Sequence, residues 1–373
     1  MLKEKIKKEL QSFKLENRFR KLNLLENNSF NLSSNDYMGL GNDPDLVKEF
    51  YDSYPNLTLS SGSSRLISGS YPLIIELEDY AEKIYNKPTL FFNSGFDCNC
   101  CIIETFCDED TLVISDKLNH ASIHDGIMHS KANLIRYKHL DLNHLKNILE
   151  KNKNKFKNIF VISETIYSMD GDCVNLEELI KLKKNFNFYL ILDEAHSFGV
   201  HSYGIAHEKN LIEQVDFLVI PLGKGGGSIG SYLVCNQLYK DYIVNRGRKF
   251  IYTTALPPVN IAWNLFILKK IEILQKRKEK LEELTNLAHT LIKKYNLKTL
   301  STTHIISIII GDNNRLDKIT KYLNTKNYFV YGVKEPTVPK GTSRIRIGLS
   351  PSIPKDYIID FFKELNYALN TFF

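Results

Sequence analysis

The chain has 373 residues, 43% hydrophobic and 25% charged, with a net charge of +6. These values exclude a disordered chain and fit a soluble protein that can bury one large core or two; the mild, scattered positive charge argues against nucleic acid as a partner. No run of about 18 apolar residues occurs, which excludes a membrane-spanning helix, and Met1–Leu10 lacks the apolar core of a secretion signal, so a cytoplasmic location is expected.

Residues 1 to about 22 read as a helix, with Leu2, Ile6, Leu10 and Phe13 on one face. Short extended and turn segments follow, including Ser33–Tyr37. From about 72 to about 245, apolar runs near 88–92, 111–115, 158–163, 187–192, 216–220 and 230–235 alternate with helical periods. That alternation predicts an α/β fold with a mostly parallel sheet and helices on both faces. The stretch 257–295 keeps a helical period without an internal breaker and predicts a long linker helix. Strand-like runs at 305–310, 328–333 and 344–349, with helices near 315–325 and 355–370, predict a small α/β C-terminal domain. The expected division is an N-terminal helix and arm over 1–45, a large domain over 46–256, the linker over 257–295 and the small domain over 296–373.

Six cysteines are present, three of them in the run Cys98-Asn99-Cys100-Cys101. No second cluster or His pair at ligand spacing accompanies them. They read as small apolar residues of a buried helix, and no metal site is expected.

Two segments carry the chemistry. Asp193-Glu194-Ala195-His196 closes the run Phe188–Leu192, and Gly223-Lys224-Gly225-Gly226-Gly227 closes the run Phe217–Ile220. Each reads as a buried strand that delivers a charged group to a loop, and open α/β sheets bind ligands outside the carboxyl ends of their strands. An acid and a His at one strand end, with a Lys in a glycine loop at another, is what a pyridoxal phosphate (PLP) site requires. The lysine forms the Schiff base; a carboxylate keeps the pyridine nitrogen protonated. Asp193 and Lys224 suit those roles, and His196 could hydrogen-bond the phenolic oxygen. Asp-Glu-Ala-His also occurs in nucleic-acid helicases. The accompanying P-loop pattern fails, however, because Leu218 and Gly225 stand where Gly and Ser or Thr are needed. The motif order is also reversed.

Other segments are weaker signals. Asn93-Ser94-Gly95-Phe96 opens a helix after a strand, where backbone N–H groups can bind phosphate. His120 follows the next strand and could stack on a flat ring. Ser168, near the Asp170-Gly171-Asp172 turn, could reach the cofactor. Thr253 and Thr254 could bind phosphate or cap the following helix. Arg344 and Arg346 alternate along one strand, as a carboxylate clamp or as a solvated edge.

Taken together, the segments resemble the α-oxoamine synthases, fold-type I PLP enzymes that condense an amino acid with an acyl thioester. The likeness runs in order from Ser34–Leu40, through Gly62–Gly69, to Arg344–Arg346. It implies a mostly parallel seven-stranded sheet in the large domain. Lys224 would hold PLP and move a proton, Asp193 would pair with the pyridine nitrogen, and His196 would contact the phenolic oxygen. His120 would stack on the ring and touch substrate, Gly95 and Phe96 would meet the phosphate, and Ser168 would lie beside the cofactor. Thr253 and Thr254 would come from the partner subunit, which implies a homodimer with shared sites. Arg344 would hold the amino-acid carboxylate, and Arg18 and Thr337 would meet the acyl substrate.

Within the family, Phe250–Pro258, Gly311–Asn313 and Pro336–Pro339 resemble the branch that joins L-alanine to a pimeloyl thioester, carried by CoA or by an acyl-carrier protein. Branches that use glycine are the alternative. Three positions depart from the family pattern. Pro221 replaces the usual Thr three residues before the lysine, Ile74 stands at a common His position, and Lys334-Glu335 precedes Pro336. With Pro221 in place, phosphate binding is expected to lean on Gly95, Phe96, Ser228 or the partner threonines.

Overall fold

The apolar runs of the large region form seven strands: β1 (Thr89–Phe92), β2 (Thr111–Asp116), β3 (Asn133–Tyr137), β4 (Asn158–Glu164), β5 (Tyr189–Asp193), β6 (Phe217–Pro221) and β7 (Ser231–Cys235). They lie in one sheet in the order β1-β7-β6-β5-β4-β2-β3. Pairing is parallel from β3 through β6, and β7 runs antiparallel to both of its neighbours. The computed structural model describes residues 1–25 and 29–372, except for the side chains of residues 272 and 273.

Two compact units emerge. One comprises residues 36–168 and 173–278 and contains this sheet; the other comprises residues 1–35, 169–172 and 279–373. In the first, β2, β4, β5, β6 and β7 are buried almost throughout, as strands covered on both faces must be. Val113, Ile162, Ile191, Val219 and Leu233 join one core with Cys98, Cys101, Ile102 and Ile103 of the helix Gly95–Phe106. The cysteines thus sit in a buried helix, as expected.

Strand β3 has no counterpart among the expected runs. Its sequence, NLIRY, is mostly exposed at the sheet edge, so it carries no continuous apolar signal. The expected linker helix is two α-helices, Pro258–Lys270 and Gln275–Lys294, joined by a 3-10 turn at Ile271–Leu274. No glycine or proline marks that break, so periodicity alone passes over it.

The other unit has a three-stranded antiparallel sheet. Ser343–Gly348 lies at its centre, between Tyr331–Val333 and Ile305–Gly311. The edge-strand reading of Arg344 and Arg346 is therefore wrong; both are buried on a central strand. The expected run 328–333 is split, because Tyr328–Phe329 pairs in parallel with Phe30–Asn31 instead. Helices Asn313–Thr325 and Lys355–Thr371 form near their expected places. The first helix, Leu2–Leu15, is shorter than expected and stops before Asn17, whose φ is +54°. Among the described residues, no helix is long and apolar enough to cross a membrane.

A buried ion pair ties the segment before the helix Pro72–Tyr85 to the sheet. Arg65 Nη1 and Nη2 donate to Glu78 Oε1 and Oε2 at 2.9 and 3.0 Å, and Phe91 N–H donates to Glu78 Oε1 at 2.7 Å. Both side chains are less than a tenth exposed, at 8% and 7%. Arg65→Ala leaves a buried carboxylate without its counter-charge and is expected to cost about 3–5 kcal/mol in urea unfolding; a loss below about 1 kcal/mol would place this pair with ordinary surface bridges.

Candidate active site

Three neighbouring strand ends build the candidate site. Glu164, the last residue of β4, stands in register with Asp193, the last residue of β5, and Asp193 with Val219 of β6. Two residues beyond Val219, β6 ends at Pro221 and leads into the loop that carries Lys224.

Asp193 is buried and held by two donors. Ala195 N–H donates to Oδ1 at 2.8 Å and Asn99 Nδ2 to Oδ2 at 2.7 Å. His196, also buried, places Nδ1 2.7 Å from the Tyr37 hydroxyl. Between them, Glu194 turns away from this edge. It accepts from Ala206 N–H, Ile205 N–H and Thr165 Oγ1 at 2.7, 3.1 and 3.1 Å, and burial pushes it up to about 7. The acid shared with the helicase signature thus closes the start of Ile205–Glu208.

His120 caps the helix Ala121–His129. Its N–H donates to Glu164 Oε1 at 2.6 Å, and its Nδ1 lies 2.9 Å from Ser122 Oγ. Phe96 stands edge-on to the imidazole, with ring centroids 6.5 Å apart. Burial lowers the His120 pKa; Asp193 opposes that shift and the Lys224 charge adds to it. Glu164 moves the other way. Burial first, and then the Asp193 charge, pushes it up to about 8, against the pull of Lys224. Lys224 is thus within electrostatic reach of both.

The lysine loop is shaped by its glycines. A Cβ on Gly225 would sit 2.0 Å from Phe198 O, which no side chain tolerates. Gly227 N–H donates to Lys224 O at 2.8 Å, and Trp263 Nε1 donates to Gly227 O at 3.0 Å. Pro221 packs directly on Gly95, where a Cβ would lie 2.4 Å from the proline Cγ. The missing N–H of Pro221 leaves the parallel ladder intact, because β5–β6 pairing reaches only Val219.

Around Gly95, the Ser94 hydroxyl accepts from Asp97 N–H at 3.0 Å and caps the helix. Asn93 Nδ2 donates to Thr253 Oγ1 at 3.0 Å and to Thr254 O at 2.6 Å. Both threonines thus lie beside Asn93, at this helix start, within the chain. They do not cap the helix Pro258–Lys270, whose N-cap is Pro257. Ser228 Oγ is buried with no partner among the described residues.

These features fit PLP. A helix N-terminus beginning in glycine and an unpartnered buried hydroxyl suit a phosphate, and Asp193, His196 and Lys224 gather at the strand ends where the ring would need them. Ser168 ends its stretch of this unit. The remaining expected residues belong to the other unit. Arg344 is ion-paired with Asp170 there and donates through Nε to Thr342 O at 3.0 Å. Arg18 pairs with Glu16, and Thr337 Oγ1 accepts from Arg20 at 3.2 Å.

Asn99, Ser122, Glu164 and Tyr37 escaped the sequence reading. Asn99 offered a signal, since it is the one amide among the apolar residues of a buried helix face. The others look like ordinary strand-end and helix-start residues.

The profile of the aminotransferase class I and II family matches residues 27–361. A Neisseria meningitidis serogroup A protein, provisionally named 8-amino-7-oxononanoate synthase, is 40% identical over 340 residues, 89% of each chain. A Pasteurella multocida protein of the same provisional name is 38% identical over 360 residues, 92% of this chain and 93% of its own. The solved 8-amino-7-oxononanoate synthase of Francisella tularensis superposes with a TM-score of 0.78 at 25% identity, over 92% of this chain and 99% of that one. Serine palmitoyltransferase from S. paucimobilis, solved with a PLP adduct, has a TM-score of 0.85 at 24% identity, over 91% and 87% of the two chains, and supports the fold alone.

The Glu164 shift has a measurable sign. The unfolded chain releases this proton near 4.5 and the folded chain near 8, so burying Glu164 costs increasing stability as pH rises through that window. Glu164→Gln removes the penalty. In urea unfolding across pH, the variant is expected to gain on the parent between about 4.5 and 8 and to hold that gain above. A constant gap across the window would contradict the shift.

Proposed function

Because the chain belongs to the aminotransferase class I and II family, we propose that it is a PLP-dependent acyltransferase of biotin synthesis. The proposed reaction joins L-alanine to a pimeloyl thioester, from CoA or an acyl-carrier protein, and yields 8-amino-7-oxononanoate, CO2 and the free thiol. The observation that carries this reading is the set Asp193, His196 and Lys224 at the carboxyl ends of adjoining strands. The substrate pair rests on the likeness to the Neisseria and Pasteurella proteins.

PLP supplies an electron sink that makes the alanine Cα–H and carboxylate bonds breakable. The protein's share is binding and proton handling. The Lys224 amine would hold the cofactor and carry the Cα proton. Asp193, oriented by Asn99 and Ala195, keeps the pyridine nitrogen protonated. His196, backed by Tyr37, serves the phenolic oxygen, and His120 serves the ring face and the substrate. Gly95, Phe96 and Ser228 receive the phosphate together with Thr253 and Thr254, which are proposed to work across a homodimer. Ser168 is assigned a place beside the cofactor. In the other unit, Arg344 is the proposed ligand of the amino-acid carboxylate, and Arg18 and Thr337 of the acyl substrate. The proposed location is the cytoplasm.

The test is a visible absorption spectrum of the purified protein with PLP, before and after L-alanine and then pimeloyl-CoA, with CO2 and thiol release measured in parallel. A lysine-dependent band that shifts with alanine, and product only when both substrates are present, is the expected result. Lys224→Ala should lose the band and lower turnover by at least about a hundredfold. Response to glycine and not alanine would move the function to a glycine-using branch of the family. No band in the parent protein would overturn the reading.

A further inference from the structure

A chain of buried hydrogen bonds connects the two residues proposed to serve the cofactor ring. Asn99 Nδ2 lies 2.7 Å from Asp193 Oδ2 and 3.1 Å from Ser122 Oγ. A carboxylate facing it can only accept, so the Asn99 group there is the NH2, with one hydrogen for Asp193 and the other for Ser122. Having accepted from Asn99, the Ser122 hydroxyl has its own hydrogen left for His120 Nδ1, at 2.9 Å. The Ser122 N–H points at the same nitrogen, at 3.3 Å. Two donors aimed at one ring nitrogen leave no place for a proton on it. Asn99 and Ser122 are buried, at 2% and 0% exposure, so water competes little for either.

We propose that Asn99 and Ser122 are positioning residues that orient Asp193 and fix His120 as a neutral imidazole with its proton on Nε2. The proposal rests on the PLP-site reading for its function, though the tautomer itself is a property of the protein alone. In this form His120 offers an N–H donor through Nε2, and Nδ1 stays engaged by the helix it caps. Glu164 secures the same residue from the other side by accepting its backbone N–H. The charged and titratable groups around the imidazole are Asp193, Lys224, Glu164 and, on the helix it caps, His124 and Asp125. Burial and the Lys224 charge favour the neutral ring, in keeping with the two donors at Nδ1.

The experiment is nitrogen-resolved NMR of 15N-histidine-labelled protein, with and without PLP, titrated with pH. A His120→Gln variant identifies the signal. The expected result is a proton on Nε2 at neutral pH in the parent. In Ser122→Ala the His120 titration midpoint should rise by about one unit, the worth of one lost hydrogen bond to the neutral ring. Ser122→Thr, which keeps the hydroxyl, should restore it. Asn99→Ala should raise the PLP dissociation constant about tenfold, because a hydrogen bond to a charged group is lost. A proton on Nδ1 in the parent, or an unmoved midpoint in folded Ser122→Ala, would overturn the proposal. If the parent takes up no PLP, the site reading fails instead, and the tautomer result still decides whether this network operates.

Discussion

A sheet covered on both faces admits charge only at its ends, and that constraint governs this protein. Strands β4, β5 and β6 are buried, so their charged residues stand only at the carboxyl ends, where Glu164, Asp193 and the Lys224 loop follow one another. An acid at such an edge is tolerated only when donors surround it. For Asp193 these come from the turn that follows it and from a helix laid across the sheet. The helix Gly95–Phe106 therefore has two tasks. Its cysteines and isoleucines cover the strands, and Asn99 reaches the carboxylate.

The three acids near this edge are handled differently. Glu194 is met by two backbone amides and a threonine hydroxyl, and burial still pushes it up to about 7. Glu164 is pushed further, to about 8, with Asp193 as its neighbour in register. Both thus retain protons close to neutrality. The Lys224 charge opposes the rise at Glu164.

Much of this was legible in the sequence because the buried strands announce themselves as continuous apolar runs. The exceptions are physical. Asn133–Tyr137 lies at an edge and can be polar; Phe30–Asn31 is a two-residue pairing fixed by tertiary contact; and the interruption at Ile271–Leu274 comes without a helix breaker. The candidate site divides in the same way. Asp193, His196 and Lys224 stand out because strand-end acids, histidines and glycine-flanked lysines are chemically distinctive. Asn99 is hidden among cysteines, and Ser122 looks like any residue of a first helical turn. Their importance lies in partners 94 and 23 residues away in the chain, which no local pattern encodes.

The contact between Gly95 and Pro221 also limits how this sequence can change. A side chain at 95 and a proline ring at 221 claim the same space. Proline at 221 therefore requires glycine at 95, whereas glycine at 95 leaves 221 open to other residues. Substitutions at the two sites are not interchangeable in time. A lineage can adopt the proline only while the glycine is in place, and once it has done so, the glycine is locked until the proline is gone.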